Sequence, residues 1–241
     1  MAPNSPPQIY HYFSQKPLDF LASVQGAKTE PMLREVLREF PQAPKRIFSL
    51  YQKHSNHIFT VDENTPGTDF YGTTRLEYGD GLITRERGIL LITKEADCVP
   101  LLLFDPVRGV QANLHSGWRG TLKTISKVAI ETMARDYGTR PQDLICWIGP
   151  CICEDHFEVR EDVVALWRET FDFADEVIRP KDPEHWLIHL KETNRRILTG
   201  CGVPEKNITT DPRCTVEEKN LHSYRRDLPN YGVNGLFSLM I

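Results

Sequence analysis

The stretch Thr93–Gly120, TKEADCVPLLLFDPVRGVQANLHSGWRG, concentrates side chains able to do chemistry. A thiol, Cys98, stands at the mouth of one apolar run, and an imidazole, His115, closes the next. Arg119 follows between Gly117 and Gly120. A soft ligand, an imidazole and a fixed cation this close together read as the floor of an active site. One chemistry is a metal centre of Cys98, His115 and a further imidazole, best supplied by His54 of Gln52-Lys53-His54. Zinc accepts sulfur and nitrogen donors, and three protein ligands leave a fourth position for water or substrate. Water there is acidified towards neutrality. The three positions match no local metal motif, so a metal-free dyad stays open, with Cys98 as nucleophile and His115 as base. So does the plainer reading of both as core residues at strand ends.

The glycines beside Arg119 allow close backbone approach, and a helix expected from Thr121 would offer free N–H groups and a positive dipole end. That is a seat for phosphate or another anion. Asp97, next to Cys98, is a candidate for orienting an imidazole, with a capping carboxylate as the alternative. Near the C-terminus, Ser223-Tyr224-Arg225-Arg226-Asp227 puts two arginines side by side. They point different ways on any regular element, so at most one serves a site. Arg225 and Gln52 join Arg119 as candidate substrate or phosphate contacts.

The elements that must position these groups follow from patterning. Ile9–Phe13, Arg46–Tyr51 and His57–Val61 read as strands. Glu30–Phe40 has helical spacing, with Pro31 in its first turn and Pro41 stopping it. Gly81–Thr84, Gly88–Thr93, Val99–Phe104 and Gly109–Leu114 are apolar runs divided by turn residues, the last two forming a hairpin. Such continuously apolar strands predict a sheet covered on both faces. Thr121–Tyr137 is an amphipathic helix ended by Gly138, and Asp143–Ile148 is a buried strand. Helices are expected at Glu161–Phe171 and Lys191–Cys201, and strands at Asn207–Thr210 and Leu236–Ile241. With no βαβ rhythm, repeat or linker, one α+β domain is expected over 1–241, with 1–8 as a flexible tail.

Composition sets the remaining bounds. A chain of 241 residues, 40% hydrophobic and 26% charged, has the make-up of an ordinary globular protein able to bury a core. A net charge of −4 with mixed signs leaves no basic footprint for nucleic acid. The apolar runs are too short to span a membrane, and Met1–Tyr10 lacks the pattern of a signal peptide. Six scattered cysteines then suggest reduced thiols in the cytoplasm. Cys151-Ile-Cys153 has neither thioredoxin nor zinc-knuckle spacing, and Cys146 reads as a small buried hydrophobe.

ADCVPLLLFDP, HSGWRGT, IGPCI…FEV and SYRRD, in that order, resemble the YfiH family, formerly described as multicopper polyphenol oxidases (laccases) and understood as zinc-dependent purine nucleoside enzymes. The resemblance takes in Gln52-Lys53-His54, Asp80–Thr84 and Leu190–Val203. It implies a layered α/β sandwich, with β-sheet between helices, and zinc held by His54, Cys98 and His115. It also implies phosphorolysis of adenosine, inosine, guanosine and methylthioadenosine, with adenosine deamination as a second activity. The family's cysteine–histidine arrangement is similar to that of bacterial toxin deamidases, which keeps the dyad in play. A laccase needs histidines in paired clusters, whereas this chain has eight with no His-x-His pair. Copper is expected only adventitiously, because it outcompetes zinc at sites of this type. Glu95 stands where the family has threonine, Ser55 and Leu228 where it has glycine, and Glu217 where it has the second cysteine of Cys-Thr-x-Cys. Residues 14–48 lack its Arg-Gly-Gly segment. These departures bear on substrate choice rather than on the zinc ligands. A non-catalytic protein that keeps the pocket as structure is the reading furthest from this one.

Overall fold

The computed structural model describes residues 6–241. Of the tail expected over 1–8, residues 1–5 lie outside the described residues. Gln8 exchanges backbone hydrogen bonds with Ile241 at 3.1 and 2.9 Å, so ordered pairing begins inside the expected tail. Two six-stranded mixed sheets form the centre. The first contains β1 (Ile9–Phe13), β2 (Arg46–Tyr51), β4 (Thr68–Phe70), β5 (Thr73–Glu77), β7 (Ile89–Glu95) and β15 (Asn234–Met240), in the order β1-β15-β7-β2-β5-β4. The second contains β3 (Ile58–Thr60), β6 (Gly81–Thr84), β8 (Val99–Asp105), β9 (Val110–Ser116), β10 (Ile145–Ile148) and β14 (Ile208–Thr210), in the order β14-β10-β8-β9-β6-β3. A three-stranded sheet of β11 (Glu158–Val159), β12 (Ile178–Pro180) and β13 (Trp186–Ile188) stands apart.

Period-two alternation explains why the central strands are apolar throughout. In β7, Leu90 and Ile92 pack with Leu33 and Val36 of α2 (Thr29–Val36), whereas Ile89 and Leu91 pack with Leu82 of the second sheet. Along β8, Leu101 and Leu103 join the helix-side core, while Leu102 meets Leu236 across the sheets. The far face of the second sheet is covered by α4 (Ile125–Tyr137), α5 (Glu161–Thr170), α6 (Ala174–Val177) and α7 (Leu190–Gly200). The result is a four-layer α/β/β/α sandwich, with α2, which follows the short α1 (Ala22–Gln25) in the chain, on the first-sheet side. Burying both faces of each sheet this way stabilises the fold at roughly 25 cal/mol per Å² of apolar surface.

The contact between the sheets is not wholly apolar. Gln111 and Asn113 of β9 donate to the Ile89, Leu91 and Leu236 carbonyls at 2.9–3.2 Å. Ser238 of β15 donates to the Gln111 and Asn113 amide oxygens at 2.8 Å. All three side chains are fully buried.

Two helices differ from expectation. Glu30–Phe40 is α2 followed by a 3₁₀ turn over Leu37–Glu39, because Pro41 forces Phe40 into an extended conformation. Thr121–Tyr137 is two helices, α3 (Trp118–Leu122) and α4, broken at Thr124 in the left-handed region, φ +50°. Arg119 therefore lies inside a helix rather than ahead of one. Thr121 in α3 is within 3.0 Å of the Ser116 hydroxyl and 3.2 Å of the Asn194 amide. That network pins α3 to β9 and α7, and the chain turns at Thr124 before α4 lies along the sheet. Among the described residues no helix is long and apolar enough to cross a membrane.

Candidate active site

The floor of the site is assembled from both sheets. His54 follows β2 on a loop in the left-handed region, φ +58°. Cys98 precedes β8, directly after Asp97 at φ +78°. His115 lies near the end of β9, paired with Pro100. One donor atom from each of His54, Cys98 and His115 lies within 4.8 Å of the others. Cys98 Sγ is 3.7 Å from His54 Nε2, and the two imidazole rings meet edge to face with centroids 4.8 Å apart. A tetrahedral zinc at ordinary bond lengths needs sulfur and nitrogen about 3.6 Å apart, so this donor set fits the ion. The backbone is shaped around it: a Cβ on Gly117 would fall 2.7 Å from His54 Cδ2 and 2.8 Å from Cys98 Sγ.

Asp80 builds this arrangement, a role the sequence reading gave to Asp97. Its carboxylate accepts the Nδ1 proton of His115 at 2.8 Å, the N–H groups of His54 and Ser55 at 2.9 and 2.6 Å, and the Ser55 hydroxyl at 2.6 Å. With Nδ1 engaged, the Nε2 lone pair of His115 is left for a ligand. Burial works to raise the Asp80 pKa, but the His115 and Ser55 hydrogen bonds hold it well below the usual carboxylate range. Asp97 faces elsewhere, accepting from Thr215 Oγ1 at 2.5 Å and from the Arg225 N–H at 2.6 Å. It caps α8 (Tyr224–Asp227) and touches neither imidazole. Asp80 was missed because its partners are 25 to 35 positions away. The available signal was a lone carboxylate between Gly79 and Gly81 at the start of a buried strand.

Electrostatics favour a neutral ligand set at His54. Burial, and then the charge of His115, lower the His54 pKa to about 4. Burial and the nearby Asp97 and Glu95 carboxylates push the Cys98 thiol far up. A thiolate at that position needs a strong positive partner.

The floor opens into a cleft of about 890 Å³, within the range of small-molecule sites. Arg119 lines it, with its guanidinium 4.0 Å over the Trp118 ring. Arg225 lines it too, donating to the His156 and Glu158 carbonyls at 2.9 and 3.2 Å. Arg226 instead bonds the carbonyls of Thr215, Val216 and Glu218 and serves the fold. Gln52 lines the cleft, but its amide exchanges hydrogen bonds with the Lys94 backbone at 2.7 and 2.9 Å, which ties β2 to β7. Arg75, Lys94 and the aromatic wall of Phe70, Tyr71, Tyr224 and Tyr231 line the cleft as well, and the sequence reading named none of them as a candidate contact. Burial, and then the charge of Arg75, lower Lys94 to about 8.

An α/β/β/α sandwich with a Cys-His-His floor under an aromatic and cationic cleft defines the class. Residues 27–240 match the family described as multi-copper polyphenol oxidoreductase laccase, and the chain belongs to that family. It is similar to adenosine deaminase RL5 from an unknown prokaryotic organism, with 36% identity over 73% of this chain and 68% of that one. It is also similar to a purine nucleoside phosphorylase of Deinococcus radiodurans, with 38% identity over 64% of this chain and 58% of the relative's length. The crystal structure of the Bacillus licheniformis protein YfiH superposes with a TM-score of 0.88 at 26% identity, covering 96% of this chain and 92% of that one.

Proposed function

We propose that this chain is a zinc-dependent enzyme of purine nucleosides. It would cleave adenosine, inosine, guanosine or methylthioadenosine with phosphate, and would also be able to deaminate adenosine. The observation that carries the reading is the convergence of His54, Cys98 and His115 beneath a cleft with aromatic and cationic walls. Relatives named as purine nucleoside phosphorylase and adenosine deaminase support the substrate class.

Bound to these three side chains, zinc supplies Lewis acidity towards water or the purine. The chain's own residues do the rest. Asp80 holds the His115 proton at Nδ1 and keeps Nε2 as a donor. The aromatic wall offers faces for a purine to stack on, and Arg119 and Arg225 offer guanidinium groups for phosphate. In phosphorolysis a phosphate oxygen bonds to C1′ as the C1′–N9 bond breaks, and the base leaves with the electron pair and gains a proton. In deamination the oxygen of water replaces the C6 amine, which leaves as ammonia.

A metal-free Cys98–His115 dyad has less support. Burial disfavours the thiolate, and the ring within reach of Cys98 Sγ is that of His54.

The test is chromatography of adenosine and inosine incubated with metal-quantified protein, with and without phosphate. The expected outcome is free base plus ribose 1-phosphate only with phosphate, and loss of turnover in Cys98→Ala. Inosine formed from adenosine without phosphate would reveal deamination. Zinc-replete protein that left every nucleoside intact would overturn the reading.

A further inference from the structure

A second group of donors lies outside the set of residues lining the cleft. Cys153, His156, Cys214 and Glu217 each offer one ligand atom, and these atoms lie within 4.8 Å of one another. His156 Nδ1 is 3.0 Å from Cys153 Sγ, 3.7 Å from Cys214 Sγ and 3.6 Å from Glu217 Oε1. Glu217 Oε1 is 3.9 Å from Cys153 Sγ. Both cysteines are free thiols.

The donors arrive as two pairs of equal spacing, Cys153-x-x-His156 and Cys214-x-x-Glu217. Each pair is presented by one tight turn. In the first, the His156 and Phe157 N–H groups donate to the Cys153 carbonyl at 3.1 and 2.9 Å; in the second, Glu218 N–H donates to the Cys214 carbonyl at 2.9 Å. Such a spacing lets one turn supply two ligands, as in metal knuckles. The Cys151–Ile–Cys153 spacing hid this, because Cys151 is not a member; its thiol donates to the Ile152 carbonyl at 3.2 Å.

The two turns are already joined. Cys151 and Cys214 form an isolated bridge, and Thr215 N–H donates to the Cys151 carbonyl at 3.1 Å. Cys153 N–H donates to Cys214 Sγ at 3.3 Å, a contact that suits a thiolate. Two sulfurs, one nitrogen and one carboxylate make a closed four-donor set. Tetrahedral zinc takes such sets as a structural ion, whereas calcium and magnesium prefer oxygen.

We propose that Cys153, His156, Cys214 and Glu217 hold a second, structural zinc ion that clasps the 151–157 and 214–218 turns together. The clasp backs one wall of the cleft. Ile152 N–H donates to the Asp97 carbonyl at 3.0 Å, Thr215 donates to the Asp97 carboxylate, and Arg225 donates to the His156 carbonyl. Each contact leads to Cys98 or to the cationic rim, so the clasp sets the frame without touching substrate. It does not depend on the reaction proposed for the cleft.

The test is metal and thiol counting on full-length protein purified under reducing conditions with zinc supplied. Wild type is expected to hold two zinc ions per chain and Cys98→Ala one. Cobalt loaded into Cys98→Ala should show the intense visible bands of a tetrahedral ion and thiolate-to-cobalt charge transfer. Cys153→Ser should lose one of the two zinc ions. Glu217→Gln, at an exposed position that leaves packing intact, should weaken retention of that ion against a chelator, because a neutral amide oxygen is a poorer zinc ligand than a carboxylate. Cys98→Ala that binds no zinc, a tetrahedral cobalt spectrum lacking thiolate bands, or a Cys153–Cys214 disulfide in the reduced preparation would each overturn the proposal.

Discussion

Five donors reach the Asp80 carboxylate: the N–H groups of Lys53, His54 and Ser55, the Ser55 hydroxyl, and the His115 ring. An asparagine side chain there keeps the size but removes the charge and places an NH₂ among donors. Asp80→Asn should therefore weaken metal retention about 10–100-fold, the usual cost of losing a ligand's supporting carboxylate. Dialysis against a graded chelator followed by metal analysis measures it. Glu95 is the opposite case. Its carboxylate is fully buried, and that burial raises its pKa from 4.5 to about 8 against the weaker opposing pull of Thr93, Lys94 and the Leu236 backbone. Between those values the folded chain binds the extra proton, so Glu95 makes stability fall as pH rises through that window. Glu95→Gln should match wild type near pH 4.5 and melt several degrees higher above pH 8, as read by thermal unfolding across pH. At this scale Cys98 and His115 were legible because a thiol, an imidazole and an arginine crowd one short stretch. Asp80 was not, because its function consists of accepting hydrogen bonds from residues distant in the chain. Asp97 looked like the better candidate only because it is adjacent to Cys98.

Among the elements, the buried strands were readable almost to the residue. β1 and β2 fall at Ile9–Phe13 and Arg46–Tyr51, as their apolar patterns require. β4 and β5, TDF and TTRLE, carry few apolar residues and lie at the outer end of their sheet, so periodicity had nothing to register. The strands of the small third sheet are two or three residues long, too short for a pattern. The division between α3 and α4 escaped for another reason. Amphipathic spacing continues across Thr124, and the break comes from tertiary hydrogen bonds to Thr121. Thr124 holds a β-branched side chain at φ +50° and makes no side-chain cap to α4. Thr124→Gly should thus stabilise the fold by about 0.5–1 kcal/mol, since relief of left-handed strain exceeds the added chain entropy. Urea unfolding at unchanged slope would measure the gain, and equal or lower stability would count against strain at this position.

Over the whole molecule, the layered α+β architecture was foreshadowed by strands too apolar for a one-faced sheet. The presence of two stacked sheets was not, since alternation within each strand reports that both faces are buried without reporting against what. The buried amides of Gln111 and Asn113 and the hydroxyl of Ser238 lie at the contact between the two sheets. They act as an alignment key. Asn113 and Ser238 each engage two partners across the seam and Gln111 joins the same network, so a shift of one sheet on the other would break several of these bonds together. His54 is carried by the first sheet, and His115 and Cys98 by the second. Sliding one sheet by a single residue would move its loops about 3.4 Å, nearly the whole 3.7 Å between Cys98 Sγ and His54 Nε2. The tolerance of the donor triangle is thus machined at the seam between the sheets, where a surveyor of the cleft would not look for it.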